Sequence, residues 1–364
     1  MTLLLSAEQS TLKNWSLRGN KPYRIFKTPE KSLNALGAIA VTGGAFAQAV
    51  MTGYLGYGYD QHTSSLGVMA SGLGVDDAEI NFAVTEDIEG LGKLSGTLGF
   101  ISGGRGATAT GRDTKLSLTT LSGTSITFAN ALGASYLANG IAASGTDYEY
   151  DLSLTTAPAG SGLFSARSVN DSVTVKVPVA EGVSVSGAHS EPAQVSYWSG
   201  SGAGGVAVSG TAGQRYNTLS LDYKAGALTA NAGYRSYDQG VSGSASYYSS
   251  RNRASANYDL GVAKVGAGYE ASTYMYGNTL MDTMVSINVP IGNLNLGAQL
   301  GQRTAAGNSS SSSDYSRSGY LLVANYALSK QSYIVANYYS IDQGATGTNA
   351  QLANGFGLYL YKGF

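Results

Sequence analysis

Gly355-Phe356-Gly357-Leu358-Tyr359-Leu360-Tyr361-Lys362-Gly363-Phe364 is the stretch on which the reading of the whole chain turns. Phe356, Leu358, Leu360 and Phe364 fall on even positions, and Gly355, Gly357, Tyr359, Tyr361 and Gly363 on odd ones. A repeat of two puts an apolar row on one face of a β-strand and a small or polar row on the other. About ten residues is also the length a tilted strand needs to cross a bilayer. In hydrocarbon every backbone N–H and C=O must find a partner, so such a strand has to belong to a sheet without free edges. The first strand is therefore expected to come round and pair with the last.

Composition agrees. Of 364 residues, 12% are charged, about half the usual soluble share, while the hydrophobic fraction of 43% is not raised. The chain has 50 Gly, 26 Tyr, 6 Pro and no Cys. Beyond residue 50 there is no apolar run of about twenty residues, which a transmembrane helix requires. Low charge with abundant Gly and Tyr fits a barrel that is lipid-facing outside and wet inside. Absence of Cys rules out disulfides and thiolate metal sites, and no metal or cofactor is expected.

Residues 1–49 read differently. Lys27 and Lys31 precede a short apolar segment from Leu33 to Phe46, followed by Ala47-Gln48-Ala49. A basic flank, an apolar stretch and an A-x-A site describe a secretory signal peptide with an N-terminal extension, cut after Ala49. That leaves 50–364 as the barrel domain. The leader holds six basic residues against Glu8 and Glu30, so removing it takes the net charge from −1 to about −5. No basic footprint for nucleic acid remains.

From Val50 onward, alternating segments follow one another. They are Met51 to Tyr59, Ala78 to Val84, Lys93 to Ser102, Asp113 to Leu121, Ser125 to Leu132, Ser172 to Val177, Val183 to His189 and Tyr216 to Lys224. Then come Ala227 to Tyr237, Arg251 to Tyr258, Val262 to Ala271, Thr279 to Val289, Asn293 to Arg303, Arg317 to Ala327, Ser332 to Ile341 and Gly355 to Phe364. The count is sixteen. Short connections such as Lys224-Ala-Gly226 and Asp259-Leu-Gly261 alternate strictly with long ones such as Asp238 to Ser250. Tight turns on one side and long loops on the other define an all-β, up-and-down antiparallel transmembrane barrel of sixteen strands.

The Thr85-Glu-Asp…Gly90-Leu-Gly-Lys93 turn, the Tyr326-Ala-Leu-Ser-Lys330 turn with its tyrosine-rich following strand, and the terminal Phe364 resemble the Gram-negative general porins, in particular the β-proteobacterial type. That resemblance implies a trimeric, water-filled pore in the outer membrane, with a long loop after the fifth strand folded into the lumen. It also implies that Phe356, Leu358, Leu360 and Phe364 form the signal read by the barrel-assembly machinery. Two departures stand. The long connection lacks a Pro-Glu-Phe-Gly-Gly type of segment, and Lys362 stands where an aromatic is common, its stem long enough to snorkel to the interface.

The connection after the fifth strand spans roughly thirty residues, from Gly133 to about Gly162, and carries Asp147, Glu149 and Asp151. These three are the candidate acids of the constriction. On Arg251 to Tyr258, Ala254, Ala256 and Tyr258 read as lipid-facing, which turns Arg251 and Arg253 inward. By the same parity Lys115, Lys176 and Arg235 point inward. A Lys or Arg on the lipid face would cost about 2–4 kcal/mol at the bilayer midplane. Acids on the loop facing bases on the wall would set up a transverse field that sorts ions. The expected function is passive diffusion of ions and small hydrophilic solutes.

Two other classes compete with that reading. An outer-membrane hydrolase needs a nucleophile, a base and an orienting acid within reach of one another, and nothing marks such a set around His62 or His189. Gly200-Ser-Gly202-Ala-Gly204-Gly205 matches G-x-G-x-x-G in form but lies at no strand-to-helix junction, so it reads as a loop. An adhesin or structural barrel would use the serines at 309–313 and the 191–214 loop as contacts, although such loops more often simply solvate a rim.

Overall fold

The computed structural model describes residues 37–39, 48–63, 69–102, 110–132, 169–192, 214–238, 248–275, 277–307, 314–342 and 352–364. A three-residue strand β1 (Gly37–Ile39) precedes β2 (Gln48–Thr63), β3 (Met69–Ile88), β4 (Gly92–Ile101), β5 (Thr110–Thr120) and β6 (Ser125–Leu132). Next come β7 (Val169–Ala180), β8 (Val183–Pro192), β9 (Tyr216–Ala225), β10 (Leu228–Tyr237), β11 (Tyr248–Asp259) and β12 (Lys264–Tyr274). The set ends with β13 (Thr279–Ile291), β14 (Leu294–Ala306), β15 (Tyr315–Ser329), β16 (Ser332–Asp342) and β17 (Leu352–Gly363). From β2 to β17 each strand pairs antiparallel with the next, and β17 pairs back onto β2. The ring of sixteen is closed.

Closure follows from the alternation at the C-terminus. Phe356, Leu358 and Leu360 are exposed on the outer face, while Tyr359 and Tyr361 are buried on the inner one. β17 runs beside β2 from Asn354↔Thr63 to Gly363↔Tyr54. Two backbone bonds then lock the end: Gly53 N–H donates to the Phe364 carbonyl at 3.1 Å and Phe364 N–H to the Gly53 carbonyl at 3.0 Å. Sheet register propagates this inside-out sorting round the ring, because residues directly opposite across a ladder share a face. Leu300, Val285 and Leu219 accordingly lie on the exposed outer surface.

The short turns end where backbone geometry allows. Gly226 and Gly261 adopt φ of +53° and +81°, a region that costs glycine nothing. At the second of these, Gly261 N–H also donates to the Asp259 carboxylate at 2.8 Å, the short side chain closing the turn on its own backbone.

The structure differs from the sequence reading in several places. Strict alternation of connection length fails between β12 and β13, where only residues 275–278 intervene on the long-loop side; Tyr274 N–H donates to the Asn278 carbonyl at 2.8 Å. Strand β3 begins at Met69, not Ala78. The reading missed its first part because an extra residue, Asp76, enters the ladder between Gly56↔Asp77 and Tyr57↔Val75, and such a bulge reverses the parity on which the reading relied. Pairing also begins ahead of the expected start of the first strand at Met51: β2 starts at Gln48, and Ala49 stands opposite Val84 and Ile39.

The inner wall is not uniformly wet. Met284, Leu321, Val323, Val335, Tyr339, Ile341, Tyr359 and Tyr361 form one buried cluster on the inner face of β13 and β15–β17. Tyrosine rings lie over glycines there: a Cβ on Gly355 or Gly357 would meet the ring of Tyr339 or Tyr359. Removing side chains from two positions makes room for two flat rings, which cover backbone that would otherwise stand bare.

Candidate functional site: the lumen wall

All five bases expected on the inner wall lie on strands, and register fixes their side. Lys115 on β5 stands opposite Thr97 and Ala129, on the face of Ser117, with its ammonium 3.0 Å from Asp113. Lys176 on β7 donates to Asp222 of β9 at 2.9 Å, reaching across β8. Arg235 on β10 is the ladder partner of Arg251 on β11. Two residues along, Arg253 donates to the Asn231 side-chain oxygen Oδ1, and the Asn231 side-chain amide in turn donates to Asp222. A polar chain therefore runs from Lys176 through Asp222 and Asn231 to Arg253.

Sequence reading missed the partners. Glu270 on β12 is almost fully buried and accepts from Arg251, whose Nε also donates to Ser272 Oγ at 3.1 Å. On the next pair, Arg303 of β14 forks onto Asp282 of β13, with Nε and Nη2 at 2.7 and 2.6 Å from the two carboxylate oxygens. Two parallel bonds of this kind fix orientation as well as charge. Arg317 stands opposite Arg303, and Glu270 opposite Asp282. Parity alone would have turned Asp282 and Arg303 inward. What it does not supply is which acid meets which base.

A second group of acids lies on β2 and β3, halfway round a ring of sixteen strands from β10 and β11. Tyr54 donates to Glu79 at 3.2 Å, Asn81 also donates to Glu79, and Tyr361 donates to Asp76. Asp60 sits 3.2 Å from His62. The bulge is what aims Asp76 at Tyr361, a contact across 285 residues of chain that no local pattern announces. One side of the lumen thus carries arginines, some of them paired with Glu270 and Asp282, and the other side carries the carboxylates of Asp60, Asp76 and Glu79.

The remaining sequence-derived residues divide cleanly. Asp147, Glu149, Asp151 and Ala47, with the whole connection after the fifth barrel strand β6, lie outside the described residues. Phe364 is exposed on the outer face with Phe356, Leu358 and Leu360. Among the described residues no cluster of His, Asp and Glu is placed to hold a metal ion.

A closed ring of membrane-length strands, apolar outside and lined inside by charge, defines an outer-membrane channel. The chain belongs to the Gram-negative porin family, whose model matches residues 35–355. It forms a pore for passive diffusion across the outer membrane. Among solved structures it is similar to an anion-selective porin from Comamonas acidovorans, at 16% identity and a TM-score of 0.62, over 87% of this chain and 100% of that one. It is also similar to outer-membrane expressed OmpT of Vibrio cholerae, at 15% identity and TM-score 0.62, over 89% and 99%. A variant of the Rh. blastica porin matches at 13% identity and TM-score 0.57, over 87% and 100%. No curated protein matches the chain in sequence.

Proposed function

We propose that ions and small hydrophilic solutes cross this pore through a transverse field, with no chemistry performed on them. The observation that carries the reading is the opposition of Arg235, Arg251 and Arg253 on β10 and β11 to Asp60, Asp76 and Glu79 on β2 and β3. Charges of opposite sign on facing walls order water and steer cations and anions along different sides. Lys115 and Lys176 extend the basic lining, and Asp147, Glu149 and Asp151 add acids from the long connection after β6. The bases serve as wall residues and the three acids as the constriction.

Reconstituting residues 50–364 in planar bilayers, with salts of unequal ion size, tests this. Stepwise single-channel currents are expected. Neutralising the three acids together, as Asp147→Asn, Glu149→Gln and Asp151→Asn, is expected to shift the permeability ratio toward anions. An unchanged ratio removes them from the filter. A barrel that inserts without conducting favours the structural or adhesive reading instead.

The working unit on this proposal is a homotrimer, assembled through recognition of the Phe356, Leu358, Leu360 and Phe364 row by the barrel-assembly machinery. A leader is removed after Ala49 during export. Cutting there removes β1 and Ala49 itself but keeps the β2–β3 ladder from Val50↔Ala83 onward. Mass spectrometry of the outer-membrane form is expected to find Val50 at its N-terminus, and native gels a species of three chains. A chain that begins elsewhere refutes the cut; a single-chain species refutes the trimer.

A further inference from the structure

Four tyrosines form a continuous row across consecutive strands at the end of the barrel that carries the long connections. Tyr216 opens β9, Tyr237 closes β10, Tyr248 opens β11 and Tyr274 closes β12. Their ring centroids are 5.3, 5.4 and 4.6 Å apart in turn. Aromatic girdles of membrane barrels ordinarily face the lipid interface, as Tyr320 and Tyr338 do here on the exposed outer surface. This row faces the other way. Tyr216 stands opposite buried Ser190 and directly opposite Tyr237. Tyr274 stands opposite Tyr248 and two residues beyond buried Ser272.

Bracing alone does not account for what lies against the row. The Arg235 guanidinium sits 4.0 Å from the centre of the Tyr216 ring, and that of Arg251 is 4.9 Å from the centre of Tyr248. Arginines stacked on ring faces hold positive charge beside an apolar strip. The positive edges of the rings also suit a second aromatic group approaching edge to face. We infer that this lumenal row is a binding track for small aromatic carboxylates, the ring held among the tyrosines and the carboxylate by the Arg235 guanidinium beside Tyr216, while Arg251, paired with Glu270, braces the row from below. The inference rests on the channel reading and gives that pore a preferred solute class.

The test is block of chloride current through the reconstituted channel by sodium benzoate, sodium acetate and glucose. Benzoate is expected to half-block at a concentration about tenfold below acetate, the difference being one aromatic contact, with glucose inert at that concentration. Tyr237→Ala is expected to bring the benzoate-to-acetate ratio to about one. Arg235→Gln is expected to weaken both acids while preserving their ratio. Should Tyr237→Ala fail to insert, Tyr216→Leu at the end of the row reads the same ratio. Equal block by benzoate and acetate in the conducting parent channel overturns the proposal, as does a ratio unmoved in the tyrosine variant. Glucose blocking as well as benzoate overturns the anionic assignment. Absence of any chloride current instead refutes the channel itself.

Discussion

Gly58→Val is expected to lower the ratio of closed to open barrels about a hundredfold. Gly58 of β2 stands opposite Tyr359 of β17, in the one ladder that joins the two ends of the ring. A Cβ there would lie 2.5 Å from Tyr359 Cδ1 and 2.7 Å from Tyr359 Cα, and closer still to the carbonyl oxygen of Leu358. The ring could turn away, but the backbone cannot, because it is held by the same hydrogen bonds that close the cylinder. Overpacking typically costs about 1–3 kcal/mol, and a backbone obstruction belongs at the upper end. About 3 kcal/mol is roughly a hundredfold in the ratio of closed to open chains. Refolding from urea into detergent micelles, followed by the heat-sensitive mobility of the closed barrel on gels, measures that ratio. Gly187→Val is the control, since a Cβ at Gly187 meets nothing within 4 Å. Wild-type refolding by the Gly58 variant would mean that the seam is looser than the geometry describes.

The second large effect is expected at Asp282. With Arg303 it forms a bidentate pair on the inner wall, the two side chains only 2% and 11% exposed. Asp282→Leu leaves Arg303 without its carboxylate and beside Arg317, its ladder partner on the other side. Breaking a buried pair from one side costs about 3–5 kcal/mol, whereas replacing both partners by apolar groups is often neutral or better. The single variant should therefore shift the denaturation midpoint down strongly, and Asp282→Leu with Arg303→Met should recover most of the loss. Far-UV circular dichroism in detergent follows the unfolding. If the double variant is no more stable than the single one, the attraction between these groups is not what the wall depends on.

Both expectations concern contacts that the sequence did not disclose, although it disclosed the elements that make them. The even-odd sorting of Phe356, Leu358 and Leu360 against Tyr359 and Tyr361 was legible because a strand's faces are set by the residue's own parity. So was the inward direction of Arg251 and Arg253, once Ala254 and Tyr258 were read as outward. The short separation in sequence between the end of β12 at Tyr274 and the start of β13 at Thr279, and the early start of β3, were not legible. A bulge at Asp76 or a tight turn on the long-loop side alters parity or length without changing composition. The acids opposite the arginine wall were missed for a related reason: Asp60 and Asp76 lie in stretches where glycine interrupts the alternation.

Sequence alone determined that this chain is a membrane-spanning cylinder of sixteen strands with charge turned inward, because burial in lipid enforces a period of two residue by residue. Only the tertiary structure decided which acid meets which base on the described inner wall, that one sector of that wall is apolar, and that four tyrosines line the mouth. Those features depend on register between strands that closure brings together, and register is a property of pairs of segments. No single segment contains it.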